Sequence, residues 1–546
     1  MVTGTTNRPA TTDASPPTAS RGTRRAQDLP GPRGLPVLGN LLQIDTDSMH
    51  QQFEAWGEQF GPCFKLRFGP RIVVVLGDHE ATAAALRDRP DGFRRTSRME
   101  EIGGEMGLKP GLFAANGDAW KRQRRMVMAG FDPAHVRRYH PALVVVAGRL
   151  GKRWARAAQS GATIDLQADL MRYTVDAIAG LAFGAEVNTL ESDGNVIQQH
   201  LDKISPTLFN RMMSPLPTWR WLRTPAVRAV ERSMAAVDQA VEGFVAQARQ
   251  RMRAHPELRL RPQNLLEAML AAADEEGSGI DDRQVAGNVL TMLLAGEDTT
   301  ANTLAWMIDL LWRHPAALAR ASEEVRRVVT PDGAGDLAPS LEQLAGLDFV
   351  EACIFETMRL KPVAPLIGLQ ALRDTVVGDV AIPTGMVIIN IMRRDSVSES
   401  HLPRAASFEP ERWLAEGPAA VAAASARRTS MPFGAGPRIC PGRCMALLEM
   451  NLAMAVLLGR FDIRCVDTAD GKPAREKLKI AMAPVGLRMR LSERRREPFW
   501  HPPGAEGNSK AVIRQAPPPK GVICRPTTAP AGIELALPAL QRHTLP

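Results

Sequence analysis

Three observations predict a mainly α-helical protein with small β-sheets, an α+β fold. Only 5% of its 546 residues are aromatic, so Leu, Ala, Val and Met must fill the interior, and such a composition favours helices. The sequence is rich in Ala and Leu from about residue 87 to about residue 359. Strand patterns are confined to two short stretches, residues 63–76 and 375–391. A content of 45% hydrophobic and 23% charged residues excludes a disordered chain.

The elements follow in a definite order. Residues 29–36 contain three prolines and predict a stiff entry segment. Residues 63–68 and 71–76 flank a Gly-Pro pair and predict a β-hairpin. Asp78 is then the expected N-cap of a helix that ends at Arg87. A much longer helix is predicted over residues 285–314, and at 1.5 Å per residue it would cross the whole molecule.

Two tails flank the predicted domain. Residues 1–28 are rich in Thr, Ser, Pro and Arg, and they lack the apolar segment of a secretory signal. Prolines crowd the chain after residue 497. We therefore expect a disordered N-terminal tail at 1–28, an ordered domain at 29–497, and a Pro-rich, disordered C-terminal tail at 498–546.

Charge and cysteine content narrow the class of protein. The net charge of +9 fits an acidic partner or a membrane surface, and it fits plain solubility equally well. No nucleic-acid-binding motif accompanies the charge, so no nucleic-acid partner is predicted. The six cysteines are scattered without a CxxC pair, which favours a reducing compartment, and we expect a cytoplasmic protein. No run of 18 apolar residues occurs, so any membrane contact is expected to be peripheral at most.

The most specific segment is Phe-Gly-Ala-Gly-Pro-Arg-Ile-Cys-Pro-Gly at residues 433–442. Its glycines and prolines predict a tight loop, with Pro441 at the first position of a following apolar helix. Cys440 would then lie at a helix N-terminus, where free N–H groups and the helix dipole favour a thiolate. Gly436 and Gly442 would allow the backbone to approach a flat ligand closely. The alternative is an inert, buried cysteine in a glycine loop.

Three further motifs carry chemistry. Ala-Gly-Glu-Asp-Thr-Thr at 295–300 places poor helix formers in the middle of the long helix, which indicates a functional patch or, alternatively, a simple kink. Glu356 and Arg359 share one helix face, as a buried cluster or a solvated surface pair. Trp120 and Arg124 lie about one helical turn apart in a strongly basic segment.

Together these motifs resemble the cytochrome P-450 superfamily of heme-thiolate monooxygenases, in the family's order and over almost the whole ordered chain. The resemblance implies the fold of that family, with heme b buried between the long central helix and the helix of the cysteine loop. It implies a soluble, bacterial-type enzyme without a fused reductase. Cys440 would be the only protein ligand of the heme iron, and its thiolate would promote O–O cleavage.

The resemblance also assigns the other site residues. Asp298 and Thr299 would deliver protons to the oxygen site, and Arg412 would join Glu356 and Arg359 in a structural charge cluster. Trp120 and Arg124 would reach one heme propionate and Arg438 the other. The whole set of expected cofactor contacts is Trp120, Arg124, Phe433, Gly436, Arg438, Cys440 and Gly442. Gly368-Leu369-Gln370 stand where the family often has a basic residue, which leaves one propionate contact in doubt.

The implied reaction inserts one atom of O₂ into a substrate and needs two electrons from NAD(P)H. The residues after Gly442 leave no room for a redox domain, so a separate ferredoxin or flavodoxin is expected as donor. Its docking face would be Lys121, Arg122, Arg125 and Arg443, although a solvated helix face would look the same. We expect a monomer.

The substrate is expected to be a lipophilic small molecule, because segments 289–295, 363–367 and 481–485 are almost wholly apolar. Residues 96–108 would complete the pocket, and residues 215–223 would cover its entrance or else touch a membrane surface. The alternatives are a peroxide-using or redox-neutral heme-thiolate enzyme, and a heme-binding protein without turnover. The Asp298–Thr299 pair argues against both.

Overall fold

The computed structural model describes residues 22–109, 111–184, 188–192, 196–214, 216–329, 338–414 and 420–494. Helices make up most of this part of the chain. They are α1 (Met49–Phe60), α2 (His79–Arg87), α3 (Ser97–Glu105), α4 (Gly117–Gly130), α5 (Pro133–Ser160), α6 (Leu166–Phe183), α7 (Val196–Met213), α8 (Pro225–Ala254), α9 (Leu265–Ala273), α10 (Asp282–Arg313), α11 (Pro315–Val329), α12 (Leu341–Ala345), α13 (Asp348–Leu360), α14 (Glu411–Leu414), α15 (Ala420–Thr429) and α16 (Arg443–Arg460).

The strands are short and form small sheets. They are β1 (Arg24–Arg25), β2 (Cys63–Phe68), β3 (Arg71–Leu76), β4 (Phe93–Arg94), β5 (Ile164–Asp165), β6 (Leu366–Ala371), β7 (Thr375–Val377), β8 (Val380–Ile382), β9 (Val387–Ile391), β10 (Phe461–Asp467), β11 (Glu476–Leu478), β12 (Met482–Pro484) and β13 (Arg488–Glu493). The largest sheet has the order β2-β3-β9-β6-β4, and the smaller ones are β1-β8-β7, β10-β13-β5 and β11-β12. The predicted α+β class is confirmed.

The first predicted elements form as their residues suggest. β2 and β3 pair antiparallel, with Cys63 opposite Leu76. The Asp78 side chain accepts the Ala81 N–H at 2.7 Å and so caps α2. β3 then pairs in parallel with β9, which brings the start of the chain against the strands that follow α13.

The long central helix is α10, which starts three residues before the predicted boundary. Asp281 caps it in a reciprocal arrangement with Gln284. Gly296 lies where α10 crosses α6: a Cβ there would come within 2.1 Å of the Ile178 Cδ1 atom. The glycine in the middle of this helix is therefore needed for close helix packing. The helix runs without a break through residues 295–300.

The ordered fold begins earlier than the predicted boundary at residue 28. Arg24 and Arg25 form β1 and pair in parallel with β8, and Ala26 is buried. Strand pairing supplies backbone partners that composition alone does not reveal. Residues 1–21 and the predicted C-terminal tail at 498–546 lie outside the described residues. Among the described helices, we find none with the length and apolarity required to cross a bilayer.

Candidate active site

The cysteine loop is held by its own backbone. The N–H of Cys440 donates to the Phe433 carbonyl at 2.9 Å, and a short 3-10 turn covers Gly436–Arg438. Helix α16 begins at Arg443 with Gly442 as its N-cap, so Pro441 lies before the cap and not at the first helical position. The prediction was two residues early because the loop closes on itself before the helix starts.

Gly436 is also required by the packing of the loop. Its φ of +71° is in the left-handed region. A Cβ at this position would lie 2.6 Å from the Arg87 Cα atom and 2.8 Å from the Leu86 carbonyl oxygen. The glycine thus allows the cysteine loop to press against the last turn of α2. Gly442 would bring a Cβ only into ordinary contact with Phe131.

The Cys440 thiol lies deep in the protein yet is partly accessible. Burial raises the pKa of this thiol, and the Gly442 N–H together with the charges of Arg124 and Arg443 acts in the opposite direction. The N–H at the start of α16 thus favours the thiolate, as predicted for this position, and burial opposes it. From this combination of depth and partial accessibility we infer that Cys440 faces a space inside the protein.

The middle of α10 faces such a space as well. Ala295 is exposed and Thr299 is half-buried, whereas α10 is buried continuously from Thr300 to Leu311. The Thr299 hydroxyl donates to the Ala295 carbonyl at 2.9 Å, and its lone pairs remain as acceptors. Thr300 is buried, so Thr299 is the hydroxyl of this pair that opens on the space. Asp298 is half-buried beside it.

Arginines without carboxylate partners collect near the cysteine loop. Burial lowers the pKa of Arg95 to about 10, and burial together with the charges of Arg95 and Arg124 lowers that of Arg438 to about 10. Burial, together with the charges of Arg95 and Arg438, lowers the pKa of Arg89 to about 9. Among the described residues the Arg95 guanidinium makes no hydrogen bond, and the Nε atoms of Arg95 and Arg438 are buried without a partner. These buried cations require an anion.

Arg95 is the residue that sequence reasoning missed. Its position in Phe-Arg-Arg-Thr gives no pattern beyond a basic pair. The structure brings it near Arg438 and Arg89 because β4 pairs with β6, which carries Gly368 and Gln370. The sequence has no basic residue at the position expected after α13, and Arg95 brings one to the arginine cluster from the end of β4.

The segment that contains Trp120 lies beside the same arginine cluster. Trp120 is buried on α4, and the Arg438 guanidinium lies 4.8 Å above its ring. Arg438 also donates to the Ala115 carbonyl, next to the start of α4. Burial lowers the pKa of the half-buried Arg124, one turn further on, and the charge of Cys440 acts against it. The structure therefore brings together Trp120, Arg124, Arg438 and Cys440.

The charge cluster behind the loop is fully buried. Glu356 accepts two hydrogen bonds from Arg359, at 2.7 and 2.8 Å, and one from Arg412 at 3.3 Å. Trp413 Nε1 and the Glu409 N–H complete its shell at 2.8 and 2.9 Å. Sequence reasoning named the two arginines and missed the tryptophan, since only the fold brings α14 onto α13.

The predicted pocket segments converge above this space. The Met482 N–H donates to the Val363 carbonyl at 2.8 Å, and the Ser97 N–H donates to the Gln370 side chain at 3.0 Å. Residues 218–220 close over α3: Trp219 Nε1 donates to Glu105 at 2.8 Å, and Arg220 pairs with Glu101 and Glu105. This part of the 215–223 segment covers α3, while Trp221 and Leu222 point outward.

The residues present fit a heme. Cys440 supplies a thiol to an internal space, Thr299 and Ala295 open on an internal space from α10, and the Arg95–Arg438–Trp120 group offers unpaired cations for two carboxylates. Thiolate sulfur is an iron ligand, and planar guanidinium groups match carboxylates. Phe433 contributes its carbonyl to the loop that presents the thiol.

Comparison with known proteins agrees with this geometry. The chain is 27% identical to pentalenene oxygenase of Streptomyces avermitilis over 85% of this chain and 97% of that protein. It is 29% identical to a self-sufficient cytochrome P450 monooxygenase of Aspergillus kawachii over 86% of this chain, and it spans only 43% of that relative. The crystal structure of the cytochrome P450DA heme domain matches 87% of this chain and 99% of that domain, with a TM-score of 0.74 and 24% identity. That likeness shows the fold.

The model of one family covers residues 29–491, nearly all of the described chain. Members of this family bind heme through a cysteine thiolate. In this chain Cys440 offers the thiol, and the arginines without carboxylate partners offer groups for the heme carboxylates. The chain belongs to the cytochrome P450 family, the monooxygenases.

Proposed function

We propose that this chain uses O₂ to oxygenate a lipophilic small molecule at the space between Cys440 and Thr299. The observation that carries the proposal is that a deep thiol and a mid-helix hydroxyl both open on an interior space amid otherwise buried residues. When bound, heme b supplies the iron centre that activates O₂, and the thiolate donates electron density to it.

Cys440 binds the heme iron, and the residues around Cys440 orient its side chain. The Gly442 N–H bonds to the sulfur and, with Arg124 and Arg443, favours its charged form against the effect of burial. Arg95 and Arg438 bind the two carboxylates of the cofactor, and Trp120 supports Arg438 from below. Glu356 fixes Arg359 and Arg412, which hold the chain between α13 and α14 through backbone carbonyls.

Thr299 and Asp298 move protons. The Thr299 hydroxyl donates to Ala295, so its lone pairs can hold a water in the interior space. Asp298, the next residue on α10, is half-buried and offers a carboxylate between that water and the outside. Oxygen reduction consumes protons, and this pair is suited to supply them.

The substrate enters beneath α3 and the 218–220 turn. Ile102 on α3, Met106 directly after it, and Val289 and Leu293 on α10 belong to one buried apolar cluster in this region. Apolar lining favours a lipophilic substrate. One relative is a pentalenene oxygenase, and a substrate of that kind fits the lipophilic substrate proposed here.

Electrons come from a separate, acidic ferredoxin or flavodoxin. Lys121, Arg122 and Arg125 are exposed on α4, the helix that carries Trp120, and Arg443 begins α16 beside the thiol. The Lys121 ammonium group forms ion pairs with Asp91 and Asp118, at 3.4 and 3.6 Å. The arginines therefore carry most of the positive charge that this face can offer a partner.

The ligand assignment is tested by Cys440→Ser, with Cys465→Ser as the matched control. The reduced wild-type protein and the control should show, with carbon monoxide, the strongly red-shifted Soret band of thiolate ligation, and Cys440→Ser should lose it. Loss of the band in Cys465→Ser alone would refute the assignment.

The reaction class is tested by turnover. Product formation from a lipophilic substrate is compared with NADPH plus a ferredoxin system, a flavodoxin system, or peroxide alone. Product with either electron donor supports the proposal. Product with peroxide alone would refute it in favour of a peroxide-using enzyme.

A further inference from the structure

A second cluster of ligand-type side chains lies outside the heme site. It consists of His79, the first residue of α2, Asp395 in the 3-10 turn Asp395–Val397, and His401. One ligand atom from each lies within 4.8 Å of the other two. His79 and Asp395 are buried, and the His401 side chain is 26% exposed. None of these residues takes part in the chemistry proposed above.

Asp395 receives an unusual concentration of donors. Its Oδ2 atom is 2.8 Å from the His79 N–H, 2.9 Å from His79 Nδ1 and 3.5 Å from His401 Nε2. Its Oδ1 atom accepts from Arg394 at 2.6 Å. Both imidazole rings therefore turn a nitrogen toward the same carboxylate oxygen, with the ring centroids 4.9 Å apart.

This arrangement leaves the other nitrogen of His79 unsatisfied. His79 Nε2 is buried and makes no hydrogen bond. The nearest carboxylate is Glu80, whose Oε1 atom is 4.0 Å away on an exposed side chain. A buried ring nitrogen without a partner costs about 1–3 kcal/mol, so hydrogen bonding within the cluster does not account for it fully.

A metal ion would satisfy every group. With His79 Nδ1 as a ligand, Nε2 must carry the proton, and a shift of about 1 Å lets Glu80 accept it, as carboxylates do behind metal-bound histidines. Zn–N and Zn–O bonds of about 2.0–2.1 Å at tetrahedral angles put ligand atoms about 3.3 Å apart. The 2.9 and 3.5 Å separations bracket that value.

We propose that His79, Asp395 and His401 bind a divalent transition metal ion of the zinc class, with a water at the open position beside His401. Two imidazoles and one carboxylate are ligands that zinc prefers. Arg394 keeps the other carboxylate oxygen, so it need not be displaced.

The site would join two parts of the frame around the cysteine. α2 starts at His79 and, at its other end, packs against Gly436 of the cysteine loop. Ser396, next to Asp395, gives its carbonyl to Arg359 at 2.5 Å. Binding to the folded state alone stabilises it, so zinc should raise the melting temperature of the holoenzyme.

The test uses untagged, heme-loaded full chain, freed of adventitious metal with a chelator and dialysed against micromolar Zn²⁺. We expect one zinc per chain by mass spectrometry beyond the heme iron, and a zinc K-edge spectrum with nitrogen and oxygen ligands only. His401→Ala should weaken zinc binding at least tenfold. The matched control is His255→Ala, which removes an exposed histidine that lies 3.2 Å from Glu257.

Equal zinc binding by wild type, His401→Ala and His255→Ala would overturn the proposal, as would sulfur ligands in the spectrum. Glu80→Ala provides a second arm if His401→Ala does not load heme, because Glu80 is exposed and its loss should spare the fold. A tenfold weaker zinc affinity in Glu80→Ala supports the proposal, and unchanged affinity overturns it.

Discussion

Replacing Glu356 by glutamine tests the buried charge cluster directly. The side chain is fully buried and accepts five hydrogen bonds, two from Arg359 and one each from Arg412, Trp413 and the Glu409 N–H. Glutamine keeps the size but has one acceptor oxygen, and its amide would point N–H groups at existing donors. It also leaves the buried Arg359 without its counter-charge.

The expected loss of stability follows from those contacts. Hydrogen bonds to a charged group contribute about 1.5–3 kcal/mol each, and removing one partner of a buried pair costs about 3–5 kcal/mol. Because the bonds share one side chain, the losses do not add, and we expect about 3–5 kcal/mol in all. For a domain of this size that lowers the melting temperature by on the order of 5 °C.

The assay is thermal unfolding of the holoenzyme, followed by the Soret band, with heme content measured before heating. Glu411→Gln is the matched control, since Glu411 forms an exposed ion pair with Arg320 at 2.8 Å. Such a pair contributes about 0–1 kcal/mol. A Glu356→Gln protein that is heme-replete and melts within about 1 °C of Glu411→Gln would refute the reasoning.

Three further predictions concern single residues. Arg95→Gln should weaken heme retention about 10- to 100-fold, measured by heme transfer to excess apomyoglobin, because one of the unpaired cations for the propionates is lost; Arg94→Gln is the control. Thr299→Ala should bind heme and substrate normally but divert NADPH into peroxide, whereas Thr300→Ala should keep the ratio of product to NADPH. Burial raises the pKa of Glu449 to about 8, so the contribution of Glu449 to wild-type stability should decline by roughly 1 kcal/mol per pH unit from about pH 4.5 to 8, and Glu449→Gln should make melts less dependent on pH in that range.

Each of these has a result that contradicts it. Equal heme transfer from the Arg94 and Arg95 variants would remove Arg95 from the site. If Thr299→Ala kept the full ratio of product to NADPH while Thr300→Ala lost it, the face of α10 that carries Thr300 would be the one at the oxygen site. For Glu449 the sign is decisive: its folded pKa lies above the unfolded value, so the contribution of Glu449 to stability is greatest at low pH and declines as the carboxyl is forced to ionise. An unchanged slope in Glu449→Gln would place the ionisation elsewhere.

Local patterns were sufficient where the physics is local. The hairpin depends on strand residues around a turn, and the cap of α2 depends on Asp78 three residues before the N–H that it accepts. The boundary at residue 28 was wrong because the pairing of Arg24 with Val380 joins residues that are far apart in sequence. Gly296 belonged to the predicted functional patch at 295–300, and only the fold shows that a Cβ there would meet Ile178 on another helix.

The sequence by itself determined the helical class, the loop that carries Cys440, and the pairing of Glu356 with Arg359 on one helix face. These depend on composition and on spacings of a few residues, which fix local geometry. Only the tertiary structure decided that Arg95 joins Arg438, that Trp413 completes the shell of Glu356, and that His79 meets His401 at Asp395. Each of those contacts joins elements that are separate in the sequence. The burial and charge of the residues involved depend on neighbours that no local pattern specifies.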